Sequence, residues 1–139
     1  MTTIAADPVT GVIAYESRIT RGDYILDDDC DKCVIRDGIA FFVAGDVAHE
    51  QQFIDQYPDG KIDKHADLDA FVVIDGQVNL AGVEEGRIWS MPLNKPYAIG
   101  VGGPIAVGAM AYGASVEDAV QIAIDHTQSS GGKVRTFKL

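Results

Sequence analysis

The sequence predicts an α/β fold in four layers: helix, sheet, sheet, helix. Two observations point there: strand-like segments fall into two antiparallel sets joined by tight turns, and helical segments fall into two clusters. The chain has 139 residues, 47% apolar and 23% charged, which is the composition of an ordinary globular protein and is read as one domain over residues 1–139. A chain of this size removes about two-thirds of its unfolded surface from water, so its core needs neither disulfides nor a structural metal.

Each element has a local reason. Residues 3–7 and 12–15 are β-rich and flank the turn chemistry of Pro8 to Gly11, which predicts a hairpin at the start of the chain. Residues 33–36 and 39–44 flank Asp37-Gly38, a dipeptide that accepts the positive φ angles of a two-residue turn. Both of these strands are nearly continuous in apolar residues, which predicts burial on both faces. Gly45 then breaks the strand, and Asp46 is placed to cap a short helix that ends at Tyr57-Pro58-Asp59-Gly60. Strands resume over 71–74, 77–83, 86–90 and 97–100, with a second Asp-Gly turn at 75–76. Pro104 suits the first turn of a helix of small apolar residues reaching about Ala114. Ser115 caps another, with Glu117 and Asp118 in its first turn, and after the break at Ser129-Ser130-Gly131-Gly132 residues 133–138 alternate like a closing strand.

Charge and composition exclude several classes of function. Acidic residues outnumber basic ones 21 to 11, for a formal charge of −10, so nucleic-acid phosphates and anionic lipid are repelled. No stretch approaches the roughly 18 uncharged apolar residues of a membrane span, and no basic region followed by an apolar run opens the chain. The expected location is cytoplasmic, which Cys30 and Cys33 fit as thiols of a reducing compartment. Their spacing is that of a redox or half-zinc motif, but there is no second cysteine pair, and His49, His65 and His126 fall at no ligand interval. Neither a metal nor a cofactor is expected. Asp27-Asp28-Asp29 with Asp31 reads as a solvated acidic edge, because the glycine and twelfth-position glutamate of a calcium loop are missing.

Taken in order, Thr2-Thr3-Ile4, the run from Glu16 to Ile25, Asp31-Lys32, Val43-Ala44-Gly45-Asp46-Val47-Ala48, the turn from Ile99 to Pro104 and Ser130-Gly131-Gly132 form a joint pattern. The pattern resembles proteasome β-type subunits and the bacterial HslV protease over nearly the whole chain. The resemblance implies an N-terminal-nucleophile (Ntn) hydrolase with the αββα sandwich, acting as a threonine peptidase. Thr2 follows Met1 directly, and a small second residue permits removal of Met1, so no long pro-segment is needed for Thr2 to become the first residue.

The chemistry requires a base beside a weakly nucleophilic hydroxyl. A freed Thr2 α-amine, with an ordinary value of roughly 7.7–8.0, is suited to take the hydroxyl proton directly or through one water. Lys32 matches the family's buried lysine, and Glu16 stands where the family usually has aspartate and would keep that lysine charged. Gly45, opening a helix, supplies the family's oxyanion N–H, and Ser130 is its C-terminal serine. Val101 and Thr127 stand where the family has a serine and an aspartate. Thr20, Arg21 and Gly22, with the strand end at Val43 and Ala44, would pair with an extended polypeptide substrate through main-chain hydrogen bonds, and the pocket beside Val43 and Ala44 would set specificity. The resemblance also implies a homo-oligomeric ring and an ATP-dependent unfoldase partner. It implies a second outer-layer helix as well, for which the stretch between Pro58 and Ala70 is too short. A different class, consistent with the changes at positions 101 and 127, is a catalytically inactive assembly or binding protein with the same fold.

Overall fold

The structure, a computed structural model, describes residues 2–139. Along the chain run β1 (Thr3–Asp7), β2 (Val12–Tyr15), β3 (Ile19–Arg21), β4 (Tyr24–Asp27), β5 (Cys33–Arg36), β6 (Ile39–Gly45), α1 (Val47–Gln56), β7 (Leu68–Ile74), β8 (Gln77–Glu84), β9 (Arg87–Pro92), β10 (Tyr97–Gly100), α2 (Gly103–Ala111), α3 (Val116–His126) and β11 (Arg135–Lys138). They form two compact units: one from both ends of the chain, up to Lys32 and from Asn94 onward, and one from Cys33–Leu93.

In the first unit an antiparallel sheet is ordered β10-β1-β2-β11, with Thr3 opposite Gly100 and Tyr15 opposite both Ile4 and Arg135. The helices α2 and α3 cover one face through Ala5, Ala14, Ala98, Ala106, Val116, Ala119, Val120 and Ala123. Side chains this small let helix and sheet backbones approach closely. Ile4 and Ile13 point to the opposite face and are also fully buried, so β1 and β2 are sealed on both sides. The separate hairpin of β3 and β4, whose strands the sequence does not announce, leaves Tyr24, Ile25 and Leu26 exposed.

In the second unit the antiparallel sheet runs β5-β6-β7-β8-β9. The expected two-residue turns are present: Asp37-Gly38 and Asp75-Gly76 have φ of 52° and 77°, and 51° and 75°, and Glu85-Gly86 repeats the pattern at 49° and 78°. Helix α1 begins as the sequence predicts, with the Asp46 carboxylate accepting the Ala48 N–H at 2.9 Å, and it buries Phe53 and Ile54. The rings of Phe41, Phe53 and Tyr57 meet edge-on or tilted, with centroids 5.6–6.4 Å apart. Burial on both faces holds for β6, where 40–44 are all buried, but not for β5. The fifth strand lies at the sheet edge and Ile35 is 66% exposed, because an apolar run does not reveal a strand's place in the sheet. No helix lies between α1 and β7.

Candidate functional site

The first unit assembles a polar cluster at the start of β1. Beyond the buried Ile13, Ala14 and Tyr15 of β2, Glu16 stays in the interior and is fully buried. A carboxylate there requires compensation. Its Oε2 accepts the Arg18 N–H at 3.0 Å and the Gly131 N–H at 3.1 Å, while Oε1 accepts from the Lys32 ammonium. That ammonium, in a side chain only 12% exposed, also donates to Thr2 Oγ1 at 3.1 Å. Thr2, Glu16 and Lys32, three of the residues singled out in the sequence, therefore touch in one chain of contacts. The Glu16 side chain thus reaches Lys32.

The loop carrying Lys32 is fastened at successive residues. Asp28 receives Arg18 Nε at 2.7 Å and Nη2 at 3.2 Å, and its carbonyl accepts the Lys133 N–H at 3.3 Å. Asp29 pairs with Lys133 at 3.3 Å and Arg135 at 2.7 Å. The Cys30 N–H donates to the Ser17 carbonyl at 3.0 Å, and Tyr15 Oη donates to Asp31 at 2.7 Å. The Arg18 guanidinium holds the Asp28 carboxyl below its ordinary value, and Lys133, with Arg135, does the same for Asp29. The acidic run is exposed, as expected of a solvated edge, and two of its carboxylates, Asp28 and Asp29, are also ion-paired. Arg18 lies ten residues from Asp28, but Lys133 and Arg135 lie more than a hundred residues from Asp29, where no spacing rule reveals them.

The strand that follows Thr2 is held through its backbone. The Val101 N–H donates to the Thr2 carbonyl at 2.9 Å, and the Glu16 N–H donates to the Thr3 carbonyl at 3.2 Å. Ser130 is 1% exposed, and its hydroxyl lies 2.7 Å from Thr3 Oγ1. Thr127 Oγ1 donates back to the Ala123 carbonyl at 2.8 Å, at the end of α3. Thr20 and Gly22 line a cleft of about 310 Å³ with Arg18, Asp23, Ile25, Gln128 and Ser129. Arg21 pairs with Tyr24 within the hairpin. The expected removal of Met1 concerns a residue outside the described ones.

Gly45, Val43 and Ala44 belong to the second unit. Gly45 has φ of +145°, and a Cβ there would meet the Asp67 carbonyl at 2.6 Å and Leu68 Cβ at 2.7 Å, so only glycine fits. Val43 is a core residue, packed with Phe53 and Leu68. The ladder between β5 and β6 stops at Phe42, while β7 continues beside β6 to Gly45, so 43–45 carry a strand partner on the β7 side alone.

Other motifs carry less. Neither Cys30 nor Cys33 is in a disulfide, and burial, then the charge of Asp27, pushes the Cys30 thiol up, away from the reactive thiolate. Among the described residues no three His, Cys, Asp or Glu side chains gather as metal ligands, and no helix is long and apolar enough to cross a membrane.

These antiparallel sheets and their helices match the fold of HslV-type structures. The Thiobacillus denitrificans protein BPH in complex with epoxomicin matches with a TM-score of 0.71 and 18% identity, over 99% of this chain and 98% of that one. BPH alone gives 0.67 at 18% identity over 99% and 96%, and eukaryotic HslV from Trypanosoma brucei gives 0.70 at 16% over 99% and 100%. At such identities the likeness is one of fold. No protein-family model and no curated protein sequence matches the chain.

Proposed function

We propose that this protein is a threonine peptidase of the proteasome and HslV type, with Thr2 as nucleophile after loss of Met1. The observation that carries this reading is the Lys32 ammonium, held by the buried Glu16 and placed 3.1 Å from Thr2 Oγ1. A cation there stabilises developing negative charge on the hydroxyl oxygen. In the first step the Thr2 oxygen attacks the peptide carbonyl carbon while its proton passes to the freed Thr2 α-amine. The C–N bond then breaks, the departing amine takes that proton, and an ester joins the acyl group to Thr2. Water then cleaves the ester, releasing the acid and restoring the hydroxyl.

The remaining residues keep their proposed roles. The Gly45 N–H is assigned to the oxyanion, and the glycine-only backbone with α1 directly after it supports the assignment. Substrate pairing along Thr20 to Gly22 and along 43–45 is supported by the two-stranded hairpin and by the early end of the β5 ladder. Val43, buried among core side chains, would shape the specificity pocket from behind rather than line it openly. The exposed Tyr24, Ile25 and Leu26 are surface that neighbouring copies in a ring would cover, and the unfoldase remains a partner implied by resemblance. An inactive assembly protein is the second reading, and Thr127, turned onto its own helix, favours it.

Intact mass and electrophile labelling separate the two. The peptidase reading expects a species lighter by one Met residue and adduct formation on Thr2 with a peptide vinyl sulfone. Thr2→Ala is expected to abolish the adduct, and Lys32→Ala to slow it by about 10²-fold or more. A chain that keeps Met1, or equal labelling in all three proteins, supports the inactive reading.

A further inference from the structure

The hydroxyl of Thr3 is one of the few fully buried polar side chains, and the reaction scheme above does not use it. Two groups converge on it. The Gly102 N–H donates to Thr3 Oγ1 at 3.1 Å, and Ser130 Oγ lies 2.7 Å away on the other side. Gly102 is also the N-cap of α2, and a Cβ there would collide with the same hydroxyl oxygen. A backbone N–H only donates, so Thr3 Oγ1 accepts from Gly102, and a hydroxyl proton bridges Thr3 and Ser130, either of which can supply it.

The turn that contains Ser130 has a second attachment. Gly131 donates its N–H to Glu16 Oε2 at 3.1 Å and accepts the Ser17 N–H at 3.1 Å. One two-residue turn therefore grips the nucleophile's strand through Ser130 and the carboxylate that holds Lys32 through Gly131. The distance between Thr2 Oγ1 and the Lys32 ammonium depends on both grips. At position 101, where the resembled family has a serine, Val101 has no side-chain hydrogen-bonding group, and its backbone N–H serves the Thr2 carbonyl instead.

We infer that Thr3 is a positioning residue, whose hydroxyl locks the Ser130–Gly131 turn so that Lys32 and the Thr2 hydroxyl stay in register. The inference rests on the peptidase reading and adds to it a residue that touches neither substrate nor the reacting atoms. Thr3→Val preserves shape and removes the hydroxyl; Thr3→Ser preserves the hydroxyl.

The test is covalent modification of Thr2 by a peptide vinyl sulfone, followed by intact mass over a range of reagent concentrations, with folding checked by circular dichroism. In Thr3→Val the maximal rate is expected to fall about 10- to 100-fold while the half-saturating concentration moves by less than about 3-fold, as for a displacement near 1 Å at the reacting atoms. Thr3→Ser is expected to regain most of the rate, which a packing defect would not allow. An unreactive parent protein overturns the peptidase reading and this inference together. A reactive parent with Thr3→Val at the parental rate, or with Thr3→Ser as slow as Thr3→Val, overturns the inference alone. Should Thr3→Val not fold, Thr3→Ala removes the same hydroxyl without the branched side chain: a slowed maximal rate supports the inference and a parental rate overturns it.

Discussion

A buried carboxylate tolerates its charge only while all its partners remain. Glu16 has three, and Lys32 is the one that brings an opposite charge. Replacing Lys32 by Met leaves two backbone N–H groups facing a fully buried anion, which is expected to destabilise the protein by about 3–5 kcal/mol. Urea unfolding would read this as a lower midpoint at unchanged slope, and adding Glu16→Leu to Lys32→Met is expected to restore part of the loss. A midpoint unmoved by Lys32→Met would contradict a stabilising contact between Lys32 and Glu16. The residues of this cluster were unequally legible from sequence. Thr2, Glu16 and Lys32 stand at positions where a family pattern can be read one residue at a time. Thr3 with Ser130 could not be read so, because two hydroxyls 127 positions apart meet only once β1 and the turn before β11 are folded. Tyr15 with Asp31, and Asp29 with Arg135, were hidden for the same reason.

Elements were legible where a local rule decides them. The Asp37-Gly38 and Asp75-Gly76 turns, the Asp46 and Ser115 caps and the start of α2 at Pro104 each follow from the chemistry of a few adjacent residues. Sheet order does not, which is why β5 proved an exposed edge despite its apolar run. The hairpin of β3 and β4 escaped notice because three- and four-residue strands mixed with charges carry no period. Helix α1 has a modest apolar face, so its attachment to the sheet falls on few residues: Phe53 is fully buried beside Phe41 and Tyr57. Phe53→Ala is accordingly expected to cost about 3–5 kcal/mol, visible as a drop in thermal midpoint, whereas Val47→Ala, at an exposed position of the same helix, is expected to shift stability by less than about 0.5 kcal/mol. Similar effects at both positions would contradict the packing of α1 described above.

Across the whole molecule, net charge and local ion pairs pull stability in opposite directions as pH falls. At neutral pH the formal charge of −10 repels itself, and mild acidification relieves that repulsion. Several carboxyls nonetheless sit below their ordinary value of 3.8: Asp28 through Arg18, Asp29 through Lys133, Asp55 through Arg36, and Asp63 chiefly through the backbone N–H of His65. A carboxyl depressed in the folded state binds fewer protons there than in the unfolded chain. Its stabilisation is therefore complete above the ordinary value and is lost as pH drops through the folded one. Asp69 runs the other way, because burial and then Asp67 raise it, so its protonation returns a little stability on the way down. With four groups against one, the thermal midpoint is expected to hold or rise slightly from pH 7 to about 5 and to fall below about pH 4. All four depressed carboxyls are at the surface, so each pair contributes modestly and high salt should flatten the acid limb. Scanning calorimetry from pH 7 to 3, at low and high salt, checks both features. Asp28→Asn is expected to lower the midpoint at pH 7 and to lower it progressively less as the pH falls below 3.8. A midpoint that keeps rising below pH 4 would mean that self-repulsion outweighs the paired carboxylates that fasten the Lys32 loop.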